Sequence, residues 1–131
     1  GFVKALEYEV NQLNKPGIYN IRLSVTGEPV FMEAQKELLL FRIVQEALHN
    51  AVKHSNADNL KVLMNYNAAD FTLTIGDDGN GFIPEKLAVS QSGIGLKSMQ
   101  NRAALIGGQF SLQSSKNNGT SISIQLPTAK P

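Results

Sequence analysis

Three segments hold the residues whose types and spacing could do chemistry: QEALHNAVKH at 45–54, GDDGNGF at 76–82 and SGIGLKSM at 92–99. In the first, a helix turning about 100° per residue gathers Glu46, Asn50 and Lys53 within roughly 60° of one another. The amide oxygen of Asn50 is a hard, neutral ligand for Mg²⁺. Lys53 can neutralise phosphate oxygens, and Glu46 can orient or deprotonate a nucleophile. His54 lies at the margin of this stripe. In the second segment, Gly76, Gly79 and Gly81 permit close backbone approach to a ligand. Asp77, a carboxylate at a strand end beside them, can accept a hydrogen bond from an exocyclic amine such as that of adenine. In the third, Gly93 and Gly95 are expected to precede a helix whose free N–H groups would face phosphate, with Lys97 adding charge. Read singly, the segments also fit a charged helix face, an acidic turn and a common Gly-x-Gly lead. A calcium loop at 76–82 would lack acidic ligands at its later positions. Together and in this order they describe a pocket for a magnesium-bound nucleotide.

The elements that must position these residues follow from periodicity. Phe2, Leu6, Val10 and Leu13 recur at helical spacing and predict a helix over 2–14, stopped by the NKPG turn. IYNIRLSVTG at 18–27 alternates as a strand. Residues 33–55 carry Leu39, Leu40, Ile43, Val44, Ala47, Leu48, Ala51 and Val52 without Gly or Pro, which predicts one long helix. Strands are expected at 60–66 and 71–75, then a short lid over 83–92 expected to be among the most mobile segments, then a helix from about Ile94 to Ile106 capped by Gly107 and Gly108. Strands at 109–115 and 120–127 form a second hairpin. This order predicts an α+β two-layer sandwich: one mixed, mostly antiparallel sheet with helices on one face.

Composition narrows the partners. The chain has 131 residues, enough for one domain with a real core, and is 42% hydrophobic and 18% charged. A net charge of +1 gives no electrostatic case for nucleic acid or for direct contact with an acidic membrane. The lack of cysteine removes disulfides and thiolate chemistry and fits a reducing cytosol. No apolar run approaches the ~20 residues needed to span a bilayer. A chain opening at Gly1 is read as a piece of something larger.

With the three segments in place, the chain resembles the GHKL ATPase superfamily (Bergerat fold), in particular the ATP-binding catalytic domain of bacterial two-component sensor histidine kinases. QEALHNAVKH is similar to that family's N box, DDGNG at 77–81 to its DxGxG box, GIGL at 93–96 to its second glycine box and GTSISIQLP at 119–127 to its closing strand. The short lid and GIGLKSMQNRA look most like the subclass grouped with nitrate and membrane-fluidity sensors. The resemblance implies that Asn50 ligates Mg²⁺, that Lys53 and His54 contact the phosphates of ATP, and that Asp77 accepts the adenine amine. Gly79, Gly81, Gly93 and Gly95 would shape the adenine wall and lid ends. Leu96 would stand at the phosphate-facing helix start, and Thr120 would support Asp77 or a water at adenine. Glu46 falls where gyrase-like relatives place a general base.

The resemblance further implies three parts. Residues 1–16 would be the end of a preceding helical dimerisation segment, 17–127 the catalytic domain and 128–131 a tail. The phosphoacceptor histidine would lie on that helical segment, of the same or a partner chain, since neither His49 nor His54 stands in a helix with a dimerising heptad pattern. A response regulator would receive the phosphoryl group, and the domain would work in the cytoplasm. Two other functions share the fold: an anti-sigma-factor-type serine kinase, and a non-catalytic nucleotide-sensing module acting through protein contacts.

Overall fold

The computed structural model describes residues 1–54, 56–81 and 91–128. Among the described residues, three helices, α1 (Phe2–Asn14), α2 (Ala34–His54) and α3 (Gln91–Leu105), accompany five strands: β1 (Asn20–Thr26), β2 (Asn59–Tyr66), β3 (Asp70–Asp77), β4 (Gln109–Ser114) and β5 (Thr120–Pro127). The strands form one sheet in the order β1-β2-β3-β5-β4. Only β1 and β2 run parallel; the other three pairs are antiparallel. Parallel neighbours need a crossover, and α2 supplies it.

Alternation in the strands decides which face is covered. In β2, Leu60, Val62, Met64 and Tyr66 are buried, and the residues between them are exposed. Phe71, Leu73 and Ile75 of β3 and Ile122, Ile124 and Leu126 of β5 continue the same buried face. The helices lie there. Leu40, Ile43, Val44, Ala47, Leu48 and Ala51 bring α2 onto the sheet. Met99 and Ala103 do the same for α3, and Phe2, Leu6 and Val10 place α1 in the same core. Phe2 meets Phe71 edge-on, with ring centroids 6.4 Å apart. Each such side chain contributes about 1.5–3 kcal/mol relative to an exposed one. The result is the expected two-layer arrangement.

Element ends hold two differences from the sequence-based expectation. β3 extends past Ile75, so Gly76 and Asp77 belong to its ladder rather than to a turn beyond it. α3 begins at Gln91, so Gly93 and Gly95 lie inside the helix and do not precede it. Its other end is as expected: the Gly107 and Gly108 N–H groups return to Ala104 O (3.1 Å) and Ala103 O (2.8 Å), the bond pair of a Schellman cap. The lid expectation at 83–92 falls on residues 83–90, outside the described residues, and on the start of α3. Among the described residues no helix is long and apolar enough to cross a membrane.

Candidate nucleotide site

Cross-strand pairing stacks the inward side chains of the sheet in rows. One row runs Leu23, Val62, Ile75, Ile122 and Leu112, apolar throughout. The next runs Ile21, Leu60, Asp77, Thr120 and Ser114. The second row begins apolar on β1 and β2 and turns polar on β3, β5 and β4. Asp77 follows Phe71, Leu73 and Ile75 at the next inward position, where the strand's own period calls for an apolar residue. A carboxylate set in that phase, over a hydrophobic floor, is costly to bury unless it is hydrogen-bonded.

The local backbone provides those bonds. The Gly79 N–H donates to Asp77 Oδ1 at 2.8 Å. Burial pushes the Asp77 carboxyl above its ordinary value; N–H groups of Gly79 and Thr120 oppose this, and the neighbouring Asp78 charge adds to it. Ser114 Oγ lies 2.9 Å from Thr120 Oγ1 and donates to Gly119 O at 3.0 Å. Gly119 (φ +73°) and Gly81 (φ +66°) both need glycine: a Cβ at Gly119 would strike the Asp77 carbonyl, and one at Gly81 the Ser115 carbonyl. The β4–β5 turn and the DDGNG segment therefore close directly on each other, and the Asn117 N–H donates to Asn80 O across them.

Asp78 faces the other way. Its Oδ1 accepts from the N–H groups of Asp58 and Asn59, each at 3.0 Å, and its Oδ2 from Asn59 Nδ2 at 2.8 Å. Those bonds, the Asn59 ones foremost, hold its carboxyl below the usual range. The groove on the open face of the sheet is lined by Arg22, Lys61 and Gln113 and also by Leu60, Asp77, Thr120 and Ser114 of the polar row.

A second group forms where α2 meets α3. A Cβ at Gly95 would lie 2.5 Å from Glu46 Oε1 and 3.3 Å from Asn50 Nδ2. Gly95 is thus the residue that lets α3 settle on the Glu46–Asn50 stripe, and both side chains are half-buried. This close approach explains why a glycine stands in the second turn of a helix, where it costs about 1 kcal/mol relative to alanine.

The structure therefore brings the predicted residues together in two sets. Asp77, Gly79 and Thr120 form one; Glu46, Asn50 and Gly95 form the other. Gly81 joins the first set through the β4–β5 turn. Leu96 is packed against the core in the second turn of α3, not at its start. Lys53 is exposed on α2 and stands in neither set. The side chain of His54 and the surroundings of Gly93 lie outside the described residues. Sequence reasoning passed over Ser114, although the alternation of Phe110 and Leu112 already puts position 114 on the inward face. Among the described residues no group of three His, Asp or Glu side chains converges to hold a metal. Asn50 with the half-buried Glu46 carboxylate beside Gly95 fits a Mg²⁺ taken mainly through phosphates and water, the usual habit of that ion.

Comparison with known proteins gives the family and the fold. Residues 35–130 match the family model described as histidine kinase-, DNA gyrase B- and HSP90-like ATPase. The sensor histidine kinase ComP of Bacillus subtilis (strain 168) is 31% identical over 126 residues, 96% of this chain and 16% of ComP. The sensor histidine kinase YhcY of the same strain is 40% identical over 101 residues, 77% of this chain and 26% of YhcY. The chain thus spans a minor part of the relatives it matches. The solved structure of full-length ShkA in complex with AMPPNP superposes with a TM-score of 0.78 at 20% identity, covering 98% of this chain and 30% of ShkA.

Proposed function

Because the chain belongs to the histidine kinase-, DNA gyrase B- and HSP90-like ATPase family, we propose that it is the ATP-binding catalytic domain of a sensor histidine kinase. The observation that carries this reading is Asp77: a carboxylate at an apolar phase of the sheet, bonded by Gly79 and set beside Thr120. Such a group is retained for a ligand with a donor to offer, and the adenine amine is that donor. Gly79 and Gly81 leave the wall beside it thin enough for a flat ring.

The triphosphate would extend toward α2 and the start of α3, where Gly93 and Gly95 lie and Leu96 anchors the helix. Mg²⁺, when bound, would neutralise the charge that develops on the transferring phosphoryl group. Asn50 would hold it through the amide oxygen. Lys53 and His54 would face the phosphates, and Glu46 would orient the acceptor imidazole or take its proton. In the transfer, the imidazole nitrogen bonds to the γ-phosphorus as the bond to the bridging oxygen breaks and ADP leaves. The protein's contribution is positioning and charge complementarity.

The acceptor histidine would sit on a helical dimerisation segment, joined through residues 1–16, in the same or a partner chain. A response-regulator aspartate would take the phosphoryl group onward. The domain is placed in the cytoplasm, where ATP and the regulator are found.

Calorimetric titration with Mg-AMPPNP, beside an Asp77→Asn variant, tests the reading. Saturable binding that weakens about a hundredfold in the variant is the expected outcome. Equal binding by both proteins would remove Asp77 from the adenine site. A folded wild-type chain that binds no nucleotide would make this a module acting through protein contacts alone.

A further inference from the structure

Ser114 ends the polar row on the edge strand β4, two hydroxyls away from Asp77. Its Oγ is 3.0 Å from Gly119 O and 2.9 Å from Thr120 Oγ1. A carbonyl oxygen only accepts, so the Ser114 proton points to Gly119. The contact between the two hydroxyls must then use the proton of Thr120. Thr120 donates to Ser114 and keeps only lone pairs for anything else on the inward face.

Asp77 lies directly across from Thr120 in the ladder, and Ser114 directly across on the other side. An ionised Asp77 also offers acceptors only. The pocket therefore shows two neighbouring acceptors and no donor side chain along this row. We propose that Ser114 is a specificity-determining positioning residue: by fixing Thr120 as an acceptor, it makes the site select a purine bearing a 6-amino group over one bearing a 6-oxo group. This rests on the nucleotide reading above. An exocyclic amine has two hydrogens and satisfies both acceptors directly. A 6-oxo purine sets an oxygen against oxygens and leaves buried groups unpaired, which is how polar sites reject near-isosteres.

The test is titration of this chain with Mg-AMPPNP and with the matching inosine analogue, for the wild type, Ser114→Ala and Ser114→Thr. The wild type is expected to prefer the amino nucleotide. Ser114→Ala frees the Thr120 hydroxyl to rotate and donate to the 6-oxo group, so the preference should fall about tenfold. Ser114→Thr keeps the hydroxyl and should restore it. Thr120→Val supplies an independent measurement if the alanine variant does not fold: it should weaken the amino nucleotide without weakening the inosine analogue. A wild type that prefers the amino nucleotide, with an unchanged ratio in Ser114→Ala, overturns the role of Ser114 and leaves the nucleotide site standing. Equal weakening of both nucleotides in Thr120→Val overturns the acceptor assignment. Binding of neither nucleotide by the wild type overturns both this proposal and the ATP reading.

Discussion

Asp77 and Asp78 are adjacent in the chain and sit on opposite faces of one strand end. Asp77 points toward the helix layer, is half-buried, and its carboxyl is raised chiefly by burial. Asp78 points away, is exposed, and its carboxyl is lowered by the bonds from Asn59. One is an acid that the fold holds at a cost. The other is an acid that the fold uses, since it ties the end of β3 to the residues that open β2. Identical side chains one residue apart thus differ in role because a strand reverses its faces at every step. Function is expected to follow the costly acid and stability the cheap one.

Exchanging each acid is the strongest way to break that comparison. Asp77→Asn keeps the acceptor for Gly79 N–H and removes the buried charge. Nucleotide affinity should fall about a hundredfold, while the melting temperature stays level or rises by about 1–3 °C. Asp78→Ala should do the reverse. Affinity should stay within about threefold, and the melting temperature should drop by roughly 3–6 °C as three hydrogen bonds are lost. Calorimetric titration and thermal melts on the same two variants read both quantities. A melting point lowered by Asp77→Asn and untouched by Asp78→Ala would sink the division of roles.

Acid titration separates the same two groups without mutation. Asp77 has a folded pKa above its unfolded one, so its ionisation costs stability at neutral pH. That cost is absent below the unfolded pKa and fully present once pH has risen through the folded value. Asp78 has a folded pKa below its unfolded one. Its stabilisation is present above the unfolded pKa and is lost as pH falls through the folded value. As pH is lowered, Asp77 therefore takes a proton first and loses the charge that would strengthen its bond from the ligand's amine, while Asp78 still holds β3 to β2. AMPPNP affinity should fail at higher pH than the circular dichroism of the fold, over a scan from about pH 7 to 3. Loss of both at one pH would mean that the binding failure is only unfolding.

How much of this was legible in the sequence depended on range. The eight elements came from local periodicity, and each exists where its pattern lies. Asp77 was legible because glycines flank it, but its inward phase needed the strand to run two residues further than its apolar pattern. The start of α3 was not legible. Gly93 and Gly95 read locally as a lead into a helix, whereas the reason for Gly95 is the Glu46 carboxylate on a different helix. Ser114 lay in plain alternation with Phe110 and Leu112, yet its meaning comes from the β4–β5 register that sets it beside Thr120. Local signals fix elements; pairing between distant elements decides which of their polar residues meet.

The smallest expected effect sharpens the contrast between the adenine row and the α2–α3 seam. In Gly95→Ala the new methyl would lie 2.5 Å from Glu46 Oε1. That oxygen is the far end of a flexible side chain, so it can swing aside at little cost. Alanine also favours the helix by about 1 kcal/mol over glycine. The two contributions oppose each other, and the melting temperature should move by no more than about 3 °C. On the proposed reading, the displaced carboxylate and the crowded Asn50 amide would belong to the phosphate side of the site, not to the row that holds Asp77. Mg-AMPPNP affinity should therefore weaken about threefold to tenfold, and adenosine, which has no phosphates, should bind the variant as it binds the wild type. If adenosine weakened in step with AMPPNP, the two sets of residues would be acting as one packed unit, and the separation of base recognition from phosphate recognition would be wrong.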